Sequence, residues 1–266
     1  MKVFISADIE GVNSICDWSE TEYGTQRYFE FKKQMTEEVK MAAQGAKNAN
    51  ATEILIKDAH DSALNLSIQD LPEYVKLHRG WGGGPCSMMG GLDETFDAVV
   101  YIGYHSPSRS NGNPLSHTLN TKIQHIKING VIASEFDINS FYASYLNVPI
   151  AFLSGDEYMT ELVQTVNKNI DVVATKTGVN GAVISKHPSI TNKEILEGVE
   201  ASLKKSNLKK NIVQLPKSFN VEVQYRSHQD AYNASFFPGC KLQGTDRVIF
   251  TFDNFYNVLV TLKFIL

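Results

Sequence analysis

The sequence has 266 residues, of which 42% are hydrophobic and 20% are charged, with a formal net charge of −4. This balance does not support a nucleic-acid-binding protein, which needs clustered positive charge, and the three cysteines are too few and too scattered for a disulfide framework or a zinc ribbon. No apolar run is long enough to cross a bilayer, and the N-terminus reaches Asp8 after a very short apolar run, so we expect no signal peptide and a cytoplasmic location.

Apolar runs bounded by turn residues alternate with segments of helical periodicity along the first two thirds. The predicted elements, in chain order, are strand 3–7, helix 25–48, strand 53–57, strand 74–77, strand 97–102, a hairpin over 123–132, helix 134–146, strand 148–153 and a helix ending at 166. Asn129-Gly130 suits the type I′ turn of the hairpin, and Ser134 is a plausible N-cap. Strands that alternate with helices predict an α/β fold with a mainly parallel sheet between two helical layers.

The last third has a different pattern. Its predicted elements are a polar helix at 192–204, a strand at 219–225, a helix at 228–236, a strand at 247–252 and a closing helix at 254–264. This order predicts a smaller α+β domain. We therefore expect a metal-binding α/β catalytic domain over residues 1–186 and a second domain over 187–266, with a soft boundary near His187-Pro188.

Carboxylates and imidazoles follow three of the predicted strands. Asp8 and Glu10 follow the first strand, His60 follows the second, and His105 follows the strong apolar strand at 97–102. The carboxyl ends of parallel strands meet at one edge of a sheet, where α/β proteins bind their ligands. In extended chain the side chains of Asp8 and Glu10 point the same way, so the two carboxylates repel unless a cation neutralises them.

This donor set suits zinc, manganese or iron, and a carboxylate can bridge two such ions. Paired metals activate a shared water and polarise a carbonyl, so a di-metal hydrolase is one hypothesis. The alternative is that these residues are helix caps, turn residues and satisfied polar groups, since polar residues commonly end strands. Asp58 and Asp156 also lie at strand ends, where they could orient ligand histidines or simply form turns.

Motifs in the same order along the chain resemble those of the zinc-dependent D-aminopeptidase family. They are Ser6-Ala7-Asp8-Ile9-Glu10-Gly11, Met35-Thr36-Glu37-Glu38 in the long helix, Asp58-Ala59-His60-Asp61-Ser62, Ser87 to Asp93, Gly103-Tyr104-His105, Ser116-His117-Thr118, Gly130 to Glu135 and Ser154-Gly155-Asp156. They cover most of the first two thirds of the chain, and the last third matches only loosely.

The resemblance implies two zinc ions per subunit. Asp8 would bridge them, Glu10 and His105 would complete one site, and His60 and Glu135 would complete the other. It also implies cleavage of N-terminal D-amino acids from short peptides, and ring assemblies stacked into a homo-oligomeric decamer whose active sites face an inner chamber.

A further histidine, His117, is implied as the catalytic residue. Neither His117 nor Glu135 stands out without the resemblance, because a histidine in a polar loop is ordinarily a surface residue and a carboxylate at a helix start ordinarily favours the helix dipole. We hypothesise that His117 stabilises the oxyanion or protonates the leaving amine during metal-assisted amide hydrolysis. The glycine-rich segment 79–85 lacks the Gly-Lys-Ser/Thr ending of a phosphate loop and is interpreted as a flexible linker near the site.

Two alternatives remain open. One is a cytoplasmic peptide-binding protein of a dipeptide transport operon, in which a metal is structural. The other is a di-metal amidase that acts on non-peptide amides or on L-configured substrates. Stereospecificity depends on pocket walls that the sequence does not place.

Overall fold

The computed structural model describes residues 1–266 and contains two β-sheets. The strands are β1 Lys2–Ala7, β2 Glu53–Asp58, β3 Val75–His78, β4 Ala98–Tyr104, β5 Ile123–Ile128, β6 Val131–Ile132, β7 Ile150–Asp156, β8 Asp171–Val179, β9 Ala182–Ser185, β10 Phe219–Tyr225, β11 Lys241–Gln243 and β12 Arg247–Phe252. The helices are α1 Tyr28–Asn48, α2 Glu135–Tyr145, α3 Glu157–Val166, α4 Pro188–Leu203, α5 His228–Ala234 and α6 Phe255–Ile265. None of these helices combines the length and the apolar character that crossing a bilayer requires.

The first sheet has the strand order β3-β2-β1-β4-β7-β8-β9 and is parallel except for β9, which pairs antiparallel with β8. Its central strands β4 and β7 are buried along their whole length, as expected for parallel strands covered on both faces. Helices α1 and α4 cover one face, and α2, α3 and the second sheet cover the other. The predicted α/β class with a mainly parallel three-layer sheet is confirmed.

The second sheet is antiparallel, with the order β11-β12-β10-β5-β6. The predicted hairpin forms its edge, and Asn129 and Gly130 both take positive φ angles, 52° and 85°, as a type I′ turn requires. Helices α5 and α6 pack against β10 and β12, and α6 also contacts α2. This smaller sheet with its helices has the predicted α+β character.

The chain passes between the two sheets more than once. After β4 it leaves the first sheet, forms β5 and β6 in the second, and returns through α2 to β7. Helix α4, which follows residue 187, packs against α1 and the first sheet. The second sheet takes β5 and β6 from before residue 187 and β10, β11 and β12 from after it, so the division into residues 1–186 and 187–266 stays a prediction.

Some elements differ from their predicted bounds, and three strands were not predicted. Helix α1 begins at Tyr28, three residues later than its apolar periodicity predicts, and α4 begins at Pro188, where proline suits the first helical position. Strand β8 was not predicted because polar Thr175 and Lys176 interrupt it, although both side chains are buried. Strands β9 and β11 are short and largely exposed, so they carry little hydrophobic pattern.

Candidate metal centre

The structure brings the predicted strand-end residues to one edge of the first sheet. Strands β2, β1 and β4 are parallel neighbours, and they deliver His60, then Asp8 with Glu10, and then His105. All four side chains are buried. Glu135, the first residue of α2, is buried beside them, because Ser134 caps the helix and its N-terminal turn points at this edge.

His60 lies between the first two carboxylates. Its Nδ1 is 3.3 Å from Asp8 Oδ1 and 3.2 Å from Glu10 Oε2. Its Nε2 lies 3.0 Å from the carbonyl oxygen of Thr21. A carbonyl only accepts, so Nε2 carries a hydrogen and donates it there, which leaves the Nδ1 lone pair of the neutral ring directed at the two carboxylates.

His105 and His117 repeat this arrangement around Glu135. The Nδ1 atoms of His105 and His117 donate to the carbonyls of Ser106 and Leu115, each over 2.9 Å. Their Nε2 atoms lie 3.6 Å and 3.7 Å from Glu135 Oε1. The two imidazoles are stacked, with ring centroids 4.5 Å apart. In all three histidines one nitrogen is therefore held by a backbone carbonyl while the other faces a carboxylate.

Electrostatics at this cluster favour bound cations. Burial and the neighbouring carboxylates of Glu10 and Glu135 raise the pKa of Asp8 well above its usual value. Burial disfavours the charged form of His105, yet the carboxylates of Glu135, Glu10 and Asp8 together outweigh it and raise the pKa of His105 to about 10. Burial also opposes ionisation of Glu135, but His105 and His117 together lower the pKa of Glu135 to about 2. Three carboxylates in this small volume need positive charge, as protons or as metal ions.

The other carboxylate–imidazole pair behaves in the same way. Burial opposes the charged form of each, but their attraction dominates, so the pKa of Glu10 lies well below its usual value and that of His60 well above. Opposite shifts in the two partners indicate that each stabilises the charge of the other.

The residues present fit a metal ion. Asp8 Oδ2, Glu10 Oε2 and His105 Nε2 are buried and have no hydrogen-bond partner, which is costly unless something else satisfies them. Asp8, Glu10 and His105 form one group whose ligand atoms lie within 4.8 Å of one another, and His105, His117 and Glu135 form another. Imidazole nitrogens and carboxylate oxygens with no thiolate are the donors of a catalytic zinc site.

The loop that carries Asp8 and Glu10 is held from beneath by side chains that the sequence patterns did not single out. Lys176 on β8 is fully buried and donates from Nζ to the carbonyls of Glu10 and Ile15, each at 2.5 Å. Thr175 Oγ1 donates to the carbonyl of Gly11 over 2.6 Å. Both residues lie on a strand that was not predicted, so no sequence signal connected them with the loop.

A glycine allows the ends of β1 and β4 to approach closely. Gly103 has φ of +71°, and a Cβ there would lie 2.3 Å from the carbonyl oxygen of Asp8. The nearby Gly11 amide donates to the carbonyl of Gly103 over 2.8 Å. Any side chain at Gly103 would push Asp8 away from His105.

Asp58 and Asp156 form turns and do not orient ligand histidines. Asp58 accepts from the amides of Asn65 and Leu66, at 2.6 Å and 2.7 Å, and so closes the loop that follows His60. Asp156 caps α3 by accepting from the amide of Met159, and it also accepts from the amide of Ser106. The turn-forming interpretation is therefore the correct one for both.

The remaining histidines lie outside the cluster. His125 Nε2 is 3.1 Å from Glu222 Oε1 across β5 and β10, His78 Nδ1 lies 2.6 Å from the carbonyl of Gly90, and His187 caps α4. Cys16, like the other cysteines, is free and has no histidine partner within hydrogen-bonding distance.

A cavity of about 330 Å³ opens beside the cluster. Asp8, His60, His117 and Glu135 form its polar floor. Its walls come from the glycine-rich segment, α2 and α6, through Trp81, Pro85, Ile138, Leu259 and Leu262. The glycine-rich segment is therefore near the site, as predicted, and the last helix shapes the pocket.

A buried carboxylate–imidazole cluster at the carboxyl edge of a parallel sheet, beside a cavity of substrate size, defines a metal-dependent hydrolase. Residues 1–264 match the family model described as D-aminopeptidase (Peptidase M55), and the chain belongs to this family. The resemblance stated from the sequence and the predicted enzyme class, a metallo-aminopeptidase, are thereby confirmed.

A sequence match and a structural match, both to Bacillus subtilis, agree with this assignment. A D-aminopeptidase of strain 168 is 27% identical over 252 residues, which cover 94% of this chain and 91% of that protein. The solved structure of the Zn-dependent D-aminopeptidase DppA, a self-compartmentalizing protease, has 25% sequence identity and a TM-score of 0.92. That match covers 100% of this chain and 96% of the other.

Proposed function

We propose that this chain is a zinc-dependent aminopeptidase that removes N-terminal amino acids, D-configured ones in particular, from short peptides or amino-acid amides. The observation that carries the proposal is the buried set of unpartnered atoms, Asp8 Oδ2, Glu10 Oε2 and His105 Nε2, beside the cavity. Family membership and the zinc dependence of the similar Bacillus subtilis enzyme support the choice of metal and reaction.

Two zinc ions per subunit would be held by five ligands. These are Asp8, Glu10, His60, His105 and Glu135. Asp8 is suited to the bridging position because its Oδ1 lies 3.3 Å from His60 Nδ1 and its Oδ2 lies 3.7 Å from His105 Nε2. One carboxylate therefore faces both imidazoles.

The resemblance implies that Glu10 and His105 share one ion and that His60 and Glu135 share the other. The ligand atoms of Asp8, Glu10 and His105 lie within 4.8 Å of one another, which supports the first of these groupings. Contacts of 3.2 Å between Glu10 Oε2 and His60 Nδ1 and of 3.6 Å between Glu135 Oε1 and His105 Nε2 keep all five residues in one compact cluster.

Zinc, when bound, supplies Lewis acidity that polarises a carbonyl and lowers the pKa of water. The chain supplies the proton transfer. His117 holds a hydrogen on Nδ1 through the Leu115 carbonyl, its ring packs edge-on against Trp18, and its side chain keeps 15% exposure beside the cavity. Its Nε2 can therefore take a proton from the attacking water and give it to the leaving nitrogen as the amide bond breaks.

The proposal extends to assembly and location. The self-compartmentalizing character of the similar enzyme supports a homo-oligomer, and we propose a decamer with cavities that face an inner chamber. A cytoplasmic location and a division into domains 1–186 and 187–266 are also part of the proposal.

Metal analysis combined with a substrate panel tests the proposed function. Purified protein is expected to contain about two zinc ions per chain, to cleave D-aminoacyl amides and short D-peptides, and to lose activity with a chelator. Zinc without any cleavage would favour a binding protein with a structural metal. Cleavage confined to L-substrates would remove the D-specificity, and cleavage of non-peptide amides alone would indicate an amidase.

A further inference from the structure

A second cavity adjoins the metal cavity. Its volume is about 460 Å³, and we call it the glycine cavity because it is lined by Gly82, Gly83, Gly84, Gly90 and Gly91. It shares Trp81, Cys86, Ser87 and Lys263 with the lining of the metal cavity. A ligand bound at the metal can therefore extend past these shared residues into the glycine cavity.

The charged side chains that line the glycine cavity are cationic. It contains no aspartate or glutamate, and its charged residues are Lys57 and Lys263. In the metal cavity, Asp8 and Glu135 are proposed zinc ligands, whose negative charge the ions would offset. The anionic carboxyl terminus of a peptide whose amino end is at the metal therefore finds its complementary charge in the glycine cavity.

Of the two lysines, Lys263 is the one that can bind a ligand. Lys57 is only 1% exposed, and its Nζ donates to the carbonyl of Gly80 over 2.6 Å and lies 4.3 Å from the centre of the Trp81 ring. Lys263, in the last turn of α6, is exposed. The ion pairs that lysines form in this chain involve other lysines, so the ammonium of Lys263 is available.

Resting on the aminopeptidase activity proposed above, we infer that the glycine cavity is the subsite for the leaving part of the peptide and that Lys263 binds its terminal carboxylate. The glycines leave room for the peptide main chain, since a Cβ at Gly82, Gly83 or Gly84 would meet nothing within 4 Å. Lys263 lines both cavities, so it is placed to reach a carboxylate that lies close to the scissile bond. This arrangement selects short peptides with a free carboxyl terminus.

The test compares D-alanyl-D-alanine with its C-terminal amide, following consumption of each dipeptide by mass spectrometry. The zinc-loaded wild-type enzyme is expected to have kcat/KM about twofold to fivefold higher for the free acid, as expected for one partly exposed charge pair. Lys263→Gln should remove this preference through KM for the acid, leaving the amide and the zinc content unchanged. Lys263→Arg should retain most of the preference. Lys193→Gln, which changes an exposed lysine on α4 far from both cavities, is the control.

The possible results separate the inference from the function on which it rests. If Lys263→Gln lowers kcat/KM equally for the acid and the amide, or for neither, the carboxylate assignment is overturned. The aminopeptidase proposal would remain intact. A wild-type enzyme with equal kcat/KM for the amide and for the acid would also overturn the carboxylate assignment. A zinc-loaded wild type that cleaves neither substrate would reject the proposed function and the subsite with it.

Discussion

The Nζ atom of Lys176 lies 2.5 Å from the backbone carbonyl oxygen of Glu10, a proposed metal ligand. The same ammonium donates to the carbonyl of Ile15, so one fully buried charge holds both ends of the ligand loop. Desolvation lowers the pKa of Lys176 to about 8, which measures how strongly burial opposes its charge. The loop geometry therefore depends on a charge that is costly to bury.

Replacing this lysine should loosen the loop. Lys176→Met leaves two buried carbonyls without a donor, so the free energy of unfolding is expected to fall by about 2–4 kcal/mol and zinc affinity to fall with it. Urea unfolding and a competitive zinc titration measure these effects. Lys204→Met removes an exposed lysine at the C-cap of α4 and should change neither. Unchanged zinc affinity in Lys176→Met would show that the loop holds its shape without the ammonium.

His117 is expected to be needed for turnover and not for metal binding. His117→Ala should lower kcat by about 10²- to 10⁴-fold, the usual contribution of a general acid–base, while two zinc ions remain bound. Metal analysis and steady-state kinetics on the same sample test this, with His187→Ala at the N-cap of α4 as control. If zinc is lost together with activity, His117 is itself a ligand, as its proximity to His105 and Glu135 would permit.

Metal removal should destabilise the fold. Zinc binds the folded ligand set and not the unfolded chain, so a chelator is expected to lower Tm, and added zinc to restore it in a concentration-dependent manner. Asp8→Asn should abolish this zinc-dependent shift because the proposed bridge is lost. Asp61→Asn, at an exposed residue of the same cavity, should keep the shift. A Tm that is insensitive to zinc would contradict the proposed site.

Gly103 should not tolerate a side chain. Gly103→Ala puts a Cβ at 2.3 Å from the Asp8 carbonyl and forces an L-residue to φ of +71°, so we expect a loss of about 2–4 kcal/mol in stability and weaker zinc binding. Gly181→Ala, in the β8–β9 turn, meets nothing within 4 Å and is the matched control. Circular dichroism with denaturant titration measures both. Equal stability of the two variants would mean that β1 and β4 can separate without cost.

The buried carboxyl group of Glu38 on α1 should make the stability of the fold depend on pH. It is buried, accepts from the Asn13 amide over 2.9 Å and faces Lys176, and burial raises its pKa to about 7 from a usual 4.5. Between these two values the folded state binds more protons than the unfolded state, so the contribution of Glu38 is full below about pH 4.5 and declines as the pH rises through 7.

Glu38→Gln removes this titration. Relative to wild type, its free energy of unfolding should rise by about 2–3 kcal/mol between pH 5 and pH 8. Glu37→Gln, at the neighbouring and more exposed position of α1, provides the comparison. Parallel stability curves for wild type and Glu38→Gln across this range would contradict the assignment.

The sequence predicted the clustering of the strand-end residues better than it predicted the residues around them. Asp8, Glu10, His60 and His105 follow directly from their place at the ends of parallel strands, since topology alone brings those ends together. Glu135 and His117 lie on the segment between β4 and β7, which contributes β5 and β6 to the second sheet. No local sequence pattern indicates that this segment returns to the first sheet. Only the resemblance to a family identified them.

The residues that hold the loop of Asp8 and Glu10 could not be predicted from the sequence, for another reason. Lys176 lies in a strand whose buried polar residues break the apolar run by which buried strands are predicted. Its role depends on contacts with residues more than 160 positions earlier in the chain. The elements with strong local patterns, such as the hairpin at Asn129-Gly130 and strand β10, had correct bounds.

The excursion of the chain between β4 and β7 makes the proposed metal a topological cross-link. His105 precedes the excursion and Glu135 follows it, and His105 Nε2 lies 3.7 Å from Asp8 Oδ2 and 3.6 Å from Glu135 Oε1. An ion shared by these residues would close a loop of the chain in the way a disulfide does, restricting the unfolded ensemble as well as the site. Hydrogen exchange in residues 106–134 should therefore slow when zinc binds, and the slowing should extend to β5 and β6, which carry none of the proposed ligands.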